Sequence, residues 1–95
     1  MRPYEMVVVL QADLDEEDLQ AQLAAVKGWI ESNDGSIVEI DTWGRRRLAY
    51  PINKQREGYY TIYKLSLPAA APLVLERNLR LNENVLRFLI TRDDE

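Results

Sequence analysis

An α+β sandwich, one antiparallel sheet of four strands with two helices on one face, is the fold class predicted by this sequence. Three observations predict it. Apolar residues alternate with period two in four stretches, they recur at helical spacing in two others, and the chain order is strand, helix, strand, strand, helix, strand. With 95 residues there is room for one compact core, so residues 1–95 are read as a single domain.

Tyr4, Met6, Val8 and Leu10 alternate with Glu5, Val7 and Val9, giving a first strand with one core face and a second face that is also unusually apolar. The block DLDEED, Asp13 to Asp18, then holds five carboxylates. It fits a helix start, with Asp15 as the cap and the acids at the positive end of the helix dipole. Leu19, Leu23, Val26 and Ile30 recur at helical spacing, Ala25 and Trp29 widen the stripe, and Asn33-Asp34-Gly35 supplies stop chemistry.

A second strand begins at Ser36 with Ile37, Val38 and Ile40 and continues through Leu48 to Ile52, past an irregularity at Gly44. Asn53 to Gly58 reads as a polar loop. Tyr59 to Leu67 forms a third strand, with Thr61, Tyr63, Leu65 and Leu67 on one face and Tyr60, Ile62 and Lys64 on the other. Pro68 to Pro72 breaks it, and Pro72 suits the first turn of a second helix with Leu75 and Leu79 as its core stripe. Asn82 to Asn84 ends that helix before a last strand, Val85 to Thr91.

The resulting βαββαβ order is the ferredoxin-like pattern, with both helices packed on one sheet face. The other face is left open. By strand parity Val7, Val9, Tyr60, Ile62 and Leu89 fall on it, a patch more apolar than a lone monomer exposes, which marks it for a partner.

The chain has no cysteine and no histidine. Disulfides, thiolate zinc sites, cysteine nucleophiles and the usual neutral-pH general base are therefore excluded. Four glycines at 28, 35, 44 and 58 do not cluster, so the phosphate-cradling loop of small phosphatases is missing. The acids of the first helix are consecutive and solvent-facing rather than convergent on a metal. No catalytic, metal or cofactor site is expected. Met1 leads into Arg2, Pro3 and Tyr4 without a long apolar stretch, so a cytoplasmic location is the default.

A net charge of -4 speaks against nucleic acid only if the charges are evenly spread, and they are not. Residues 43–56 carry Arg45, Arg46, Arg47, Lys54 and Arg56 with no acid among them. Arginine is suited to forked contacts with phosphate oxygens, and Tyr50, Tyr59 and Tyr60 add rings on which a base can stack. The same run also fits a solvated strand edge guarded by charge. Arg77 and Arg80 have Glu76 and Glu83 nearby and read as surface ion pairs. Arg87 falls on the open face beside Val7 and Ile62, where a cation among apolar groups serves a partner more readily than the fold. REGYYTIY, Arg56 to Tyr63, compares poorly with the aromatic strand of RNA-recognition motifs, so Gly58 is read as serving the turn and Tyr63 as entering the core.

Tyr4-Glu5, WGRRRLAYPIN from Trp43 to Asn53, Glu57-Gly58-Tyr59-Tyr60 and LRLNENVLRFLI from Leu79 to Ile90 together resemble the protein-six family of the bacterial small ribosomal subunit. The resemblance covers nearly the whole chain in order. It implies a non-enzymatic RNA-binding protein that pairs with ribosomal protein eighteen and joins the central domain of small-subunit (16S) ribosomal RNA during assembly. By resemblance Arg2, Arg46, Arg47 and Arg87, with Arg45, Tyr50 and Lys54, are the RNA-binding positions. Val7, Val9, Tyr60, Ile62 and Leu89 are the ground for the protein partner. Many relatives continue in a tail past the last strand, whereas Arg92-Asp93-Asp94-Glu95 here is acidic and is expected to repel RNA. A protein-binding module of the same fold, with arginines kept for solubility, is the competing reading.

Overall fold

A computed structural model describes residues 1–93; the acids Asp94 and Glu95 of the repelling end lie outside the described residues. The elements are β1 (Arg2–Gln11), α1 (Glu16–Ser32), β2 (Ser36–Ile52), β3 (Gln55–Leu67), α2 (Ala71–Leu81) and β4 (Val85–Arg92). The sheet order is β2-β3-β1-β4 and every neighbouring pair is antiparallel. This is the ferredoxin-like arrangement anticipated above, with β1 between β3 and β4.

The core is built by alternation. Met6, Val8 and Leu10 of β1 and Thr61, Tyr63, Leu65 and Leu67 of β3 are buried, and all but Thr61 belong to one apolar cluster with Leu19, Val26 and Ile30 of α1 and Ala71, Leu75 and Leu79 of α2. Helix α1 starts where Asp15 accepts a hydrogen bond from the Asp18 backbone N–H at 2.8 Å, which satisfies one of the orphan donors of the first turn. Its end falls at Asn33-Asp34-Gly35 as expected. The left-handed residue after the helix is Asp34 (φ 62°), while Gly35 is needed for space: a Cβ there would stand 3.0 Å from the Ile30 carbonyl oxygen and collide with Leu67. The glycine lets the chain turn tightly under the helix into β2.

The β2–β3 hairpin departs most from the sequence reading. The loop expected over Asn53 to Gly58 is only a two-residue turn, Asn53 (φ 49°) and Lys54 (φ 66°), with Ile52 paired to Gln55. Two positive φ values in succession match the right-handed twist of the flanking strands. Gly58 therefore lies within β3 and does not serve the turn; its missing side chain leaves room for Val9 and Leu48, which a Cβ would crowd. The irregularity expected at Gly44 is present: Thr42 pairs with Thr61 and Gly44 with Tyr60, so Trp43 is an extra residue, and Gly44 takes φ 75°.

A second irregularity is larger. Arg47 pairs with Glu57 and Ile52 with Gln55, so Leu48, Ala49, Tyr50 and Pro51 oppose Arg56 alone. The surplus chain arches away from β3. Leu48 at its base is buried, and Tyr50 at its crest accepts a hydrogen bond from Arg87 Nη1 of β4 at 3.4 Å. Since β2 and β4 are the two sheet edges, roughly 14 Å apart at ordinary strand spacing, the contact shows the arch reaching over the open face.

Candidate nucleic-acid interface

Two rows of side chains cross the face opposite the helices. One runs Ile62–Val7–Leu89 and the next Tyr60–Val9–Arg87, each in direct register across β3, β1 and β4. Alternation puts them there, because their sequence neighbours Met6, Val8, Thr61 and Tyr63 point into the core. Leu89 is 60% exposed and Val7, Ile62 and Tyr60 are half-buried. Val9 corrects the expectation of an open apolar patch, for it is only 1% exposed. Its surroundings are supplied by this chain: Gly58 draws Val9 and Leu48 together beneath the arch, so Val9 offers no surface to a partner.

The arginine run is spread over several hollows. Arg46 turns toward the open face, where its Nε donates to the Trp43 carbonyl at 3.2 Å and its guanidinium lies 5.7 Å from the Trp43 ring centre. The indole N–H of Trp43 donates to Asp41 Oδ2 at 2.9 Å, and its ring stacks with Tyr60 at a centroid distance of 6.4 Å. Arg46, Arg47, Trp43 and Tyr60 line one hollow of about 430 Å³. Arg45 goes the other way, into a hollow shared with Lys54, Arg56, Glu57 and Asp13. A third hollow, lined by Arg47, Arg56 and residues 48–51, links the two, and Asp13, an acid from before α1, stands within the second.

Arg87 adds a third cation at the β4 edge, above Val7, Val9, Tyr60 and Leu89 in a further hollow. Among the described residues neither Arg46, Arg47 nor Arg87 has an ion-pair partner. Arg2 is not part of this surface. It pairs with Leu67 while Gln11 at the other end of β1 pairs with Gly58, a strand length of roughly 30 Å. Tyr50 is 58% exposed beside Arg87, whereas Tyr59 packs against the helix-side core and is unsuited to stacking a base. The surface ion pairs expected for Arg77 and Arg80 do not form among the described residues; Arg80 lies over the Phe88 ring instead, 6.0 Å from its centre.

Trp43 escaped the sequence reading. Its signal was an aromatic residue just before a bulge glycine, at the head of the arginine run. Tyr63, by contrast, is buried where expected, and burial, with the neighbouring Tyr59 adding to it, pushes its hydroxyl pKa up to about 12.

These features define a ferredoxin-like α+β domain whose uncovered sheet face carries stacked aromatic rings and arginines without ion-pair partners among the described residues. The model of the family described as ribosomal protein S6 matches residues 3–92, and the chain belongs to that family of small-subunit ribosomal proteins. It is 42% identical over 95 residues to the small ribosomal subunit protein bS6 of Clostridium novyi (strain NT), covering all of both chains. It is 40% identical over 95 residues to bS6 of Brucella anthropi, of whose length it spans 63%. The crystal structure of 30S ribosomal protein S6 from Thermotoga maritima superposes with a TM-score of 0.90 at 28% identity, over 96% of this chain and 86% of that one.

Proposed function

We propose that residues 1–95 act as one non-enzymatic domain, a structural constituent of the cytoplasmic small ribosomal subunit that binds the central domain of 16S ribosomal RNA together with ribosomal protein eighteen. The observation that carries this reading is the set of arginines, Arg46, Arg47 and Arg87, that line hollows on the open side of the sheet without an ion-pair partner among the described residues. Cations without acidic partners keep their full attraction for phosphate, and an RNA backbone that meets them releases its condensed counterions. Tyr50 orients the Arg87 guanidinium over that face. The row Ile62–Val7–Leu89 is the natural ground for the protein partner, since apolar area with an arginine at its rim is the composition of an interface centre. Arg45 and Lys54 contribute from the hairpin's other side, with Asp13 and Glu57 reducing their pull. Arg2, at the far end of β1, would have to meet a separate part of the RNA.

The test is a titration of central-domain small-subunit RNA with this protein, alone and with ribosomal protein eighteen, at two salt concentrations. Binding should strengthen with the partner and fall steeply with salt. Arg46→Ala and Arg87→Ala should each weaken it and lower the salt slope by about one while leaving the fold intact. Equal RNA affinity in wild type and both variants would overturn the residue assignment. Association with the partner that ignores salt and excludes RNA would favour a protein-docking module instead.

A further inference from the structure

From the hollow at the head of the hairpin we infer that Trp43 is a stacking platform for an unpaired nucleotide of the bound RNA, with Arg46 and Arg47 taking its flanking phosphate. The inference rests on the RNA-binding reading above and goes beyond it in naming single-stranded nucleotide as the ligand and Trp43 as the residue that reads it. Three observations support it together. Trp43 is a large aromatic side chain left 47% exposed at the extra residue of a bulge. Its ring is already fixed, by the bond from its N–H to Asp41 Oδ2 and by the stack on Tyr60, so little ring freedom is lost when a base is laid on it in place of the Arg46 guanidinium, which lies over the ring 5.7 Å from its centre and is displaced toward the phosphate.

The third observation is chemical. The hollow that Trp43 lines has two guanidiniums and two aromatic rings, and the two arginines lack acidic partners among the described residues. An aromatic face beside clustered cations is the pairing that a nucleotide presents in complement, a planar base joined to a phosphate. A duplex hides its base faces within the stack and can offer this hollow only its phosphates. The Asp41 carboxylate also stands beside the ring; its bond to the indole N–H places it at the ring edge, where it fixes the platform without covering its face.

The chain has two tryptophans, Trp29 and Trp43. In a Trp29→Phe variant of the full chain, Trp43 alone reports the hollow. A single-stranded oligoribonucleotide of about eight nucleotides, within the usual site size for such grooves, is titrated against it, followed by the same strand annealed to its complement and by a central-domain ribosomal RNA fragment. The single strand should quench Trp43 emission, the duplex should not, and Trp43→Ala should weaken binding of the single strand by about 5- to 100-fold. Trp43→Leu, which keeps an apolar side chain at an exposed position, should lose as much. If the ribosomal fragment binds while emission and affinity ignore Trp43, the inference fails and the RNA-binding reading stands. Quenching by ribosomal protein eighteen rather than by RNA would make the hollow a protein contact and overturn it. Failure of every RNA to bind would overturn both.

Discussion

The two faces of the β1–β3 pair are made from alternate residues of the same strands, yet they have opposite fates. Met6, Leu65 and Leu67 are at most 1% exposed, sealed by two helices. Val7, Ile62 and Leu89, one residue out of phase, are covered by no helix. One face therefore carries the stability and the other is left for recognition. At the arch of Leu48 to Pro51 the open face gains a local cover, and Val9 is the residue it hides.

That division is most severely tested on the sealed side. Leu79→Ala removes a side chain only 1% exposed in the last turn of α2, and the cavity should cost about 2–5 kcal/mol of stability by urea unfolding. Gly58→Ala tests the point where the two faces meet. Its Cβ would press on the buried, stiff Val9, and a loss of about 1–3 kcal/mol is expected; an unchanged midpoint would mean that the arch is not held down there. A smaller effect should follow from the Tyr63 hydroxyl. Its pKa is raised from 10.0 to about 12 in the folded chain, so the folded state holds the proton longer than the unfolded one. Stability is then constant below pH 10 and falls as pH rises from 10 toward 12. Tyr63→Phe should flatten that alkaline decline in denaturation curves taken across the window. Least should come from Leu89→Ala on the open face, which should move stability by no more than about 0.5 kcal/mol while reducing affinity for ribosomal protein eighteen if the proposed interface is right.

How far the sequence carried the structure depended on the kind of contact. Strand parity in β1 and β3, the Asp15 cap, the Pro72 helix start and the break at Gly44 are local, and each was legible in a window of a few residues. The hairpin was not, because its shape is set by register. That four residues, Leu48 to Pro51, oppose one, Arg56, is a property of pairing between strands and leaves no mark on either strand alone. Asn53-Lys54 hid the two-residue turn as well, since lysine rather than glycine occupies the second positive-φ position. Two departures follow from that hairpin: Val9 is hidden, and Gly58 lies within β3 rather than in the turn. Trp43 was passed over because a lone tryptophan carries no periodic signal.

The placement of β1 between β3 and β4 bears on how such a chain emerges from synthesis. Tyr4 pairs with Arg92, so the first strand made cannot complete its pairing until the last strand of the sheet has left the exit channel. High contact order of this kind makes folding late and concerted rather than progressive. The Tyr50–Arg87 contact shares that timing, so the open face comes into being in one step, and a nascent chain halted before β4 would present an unpaired strand edge in its place.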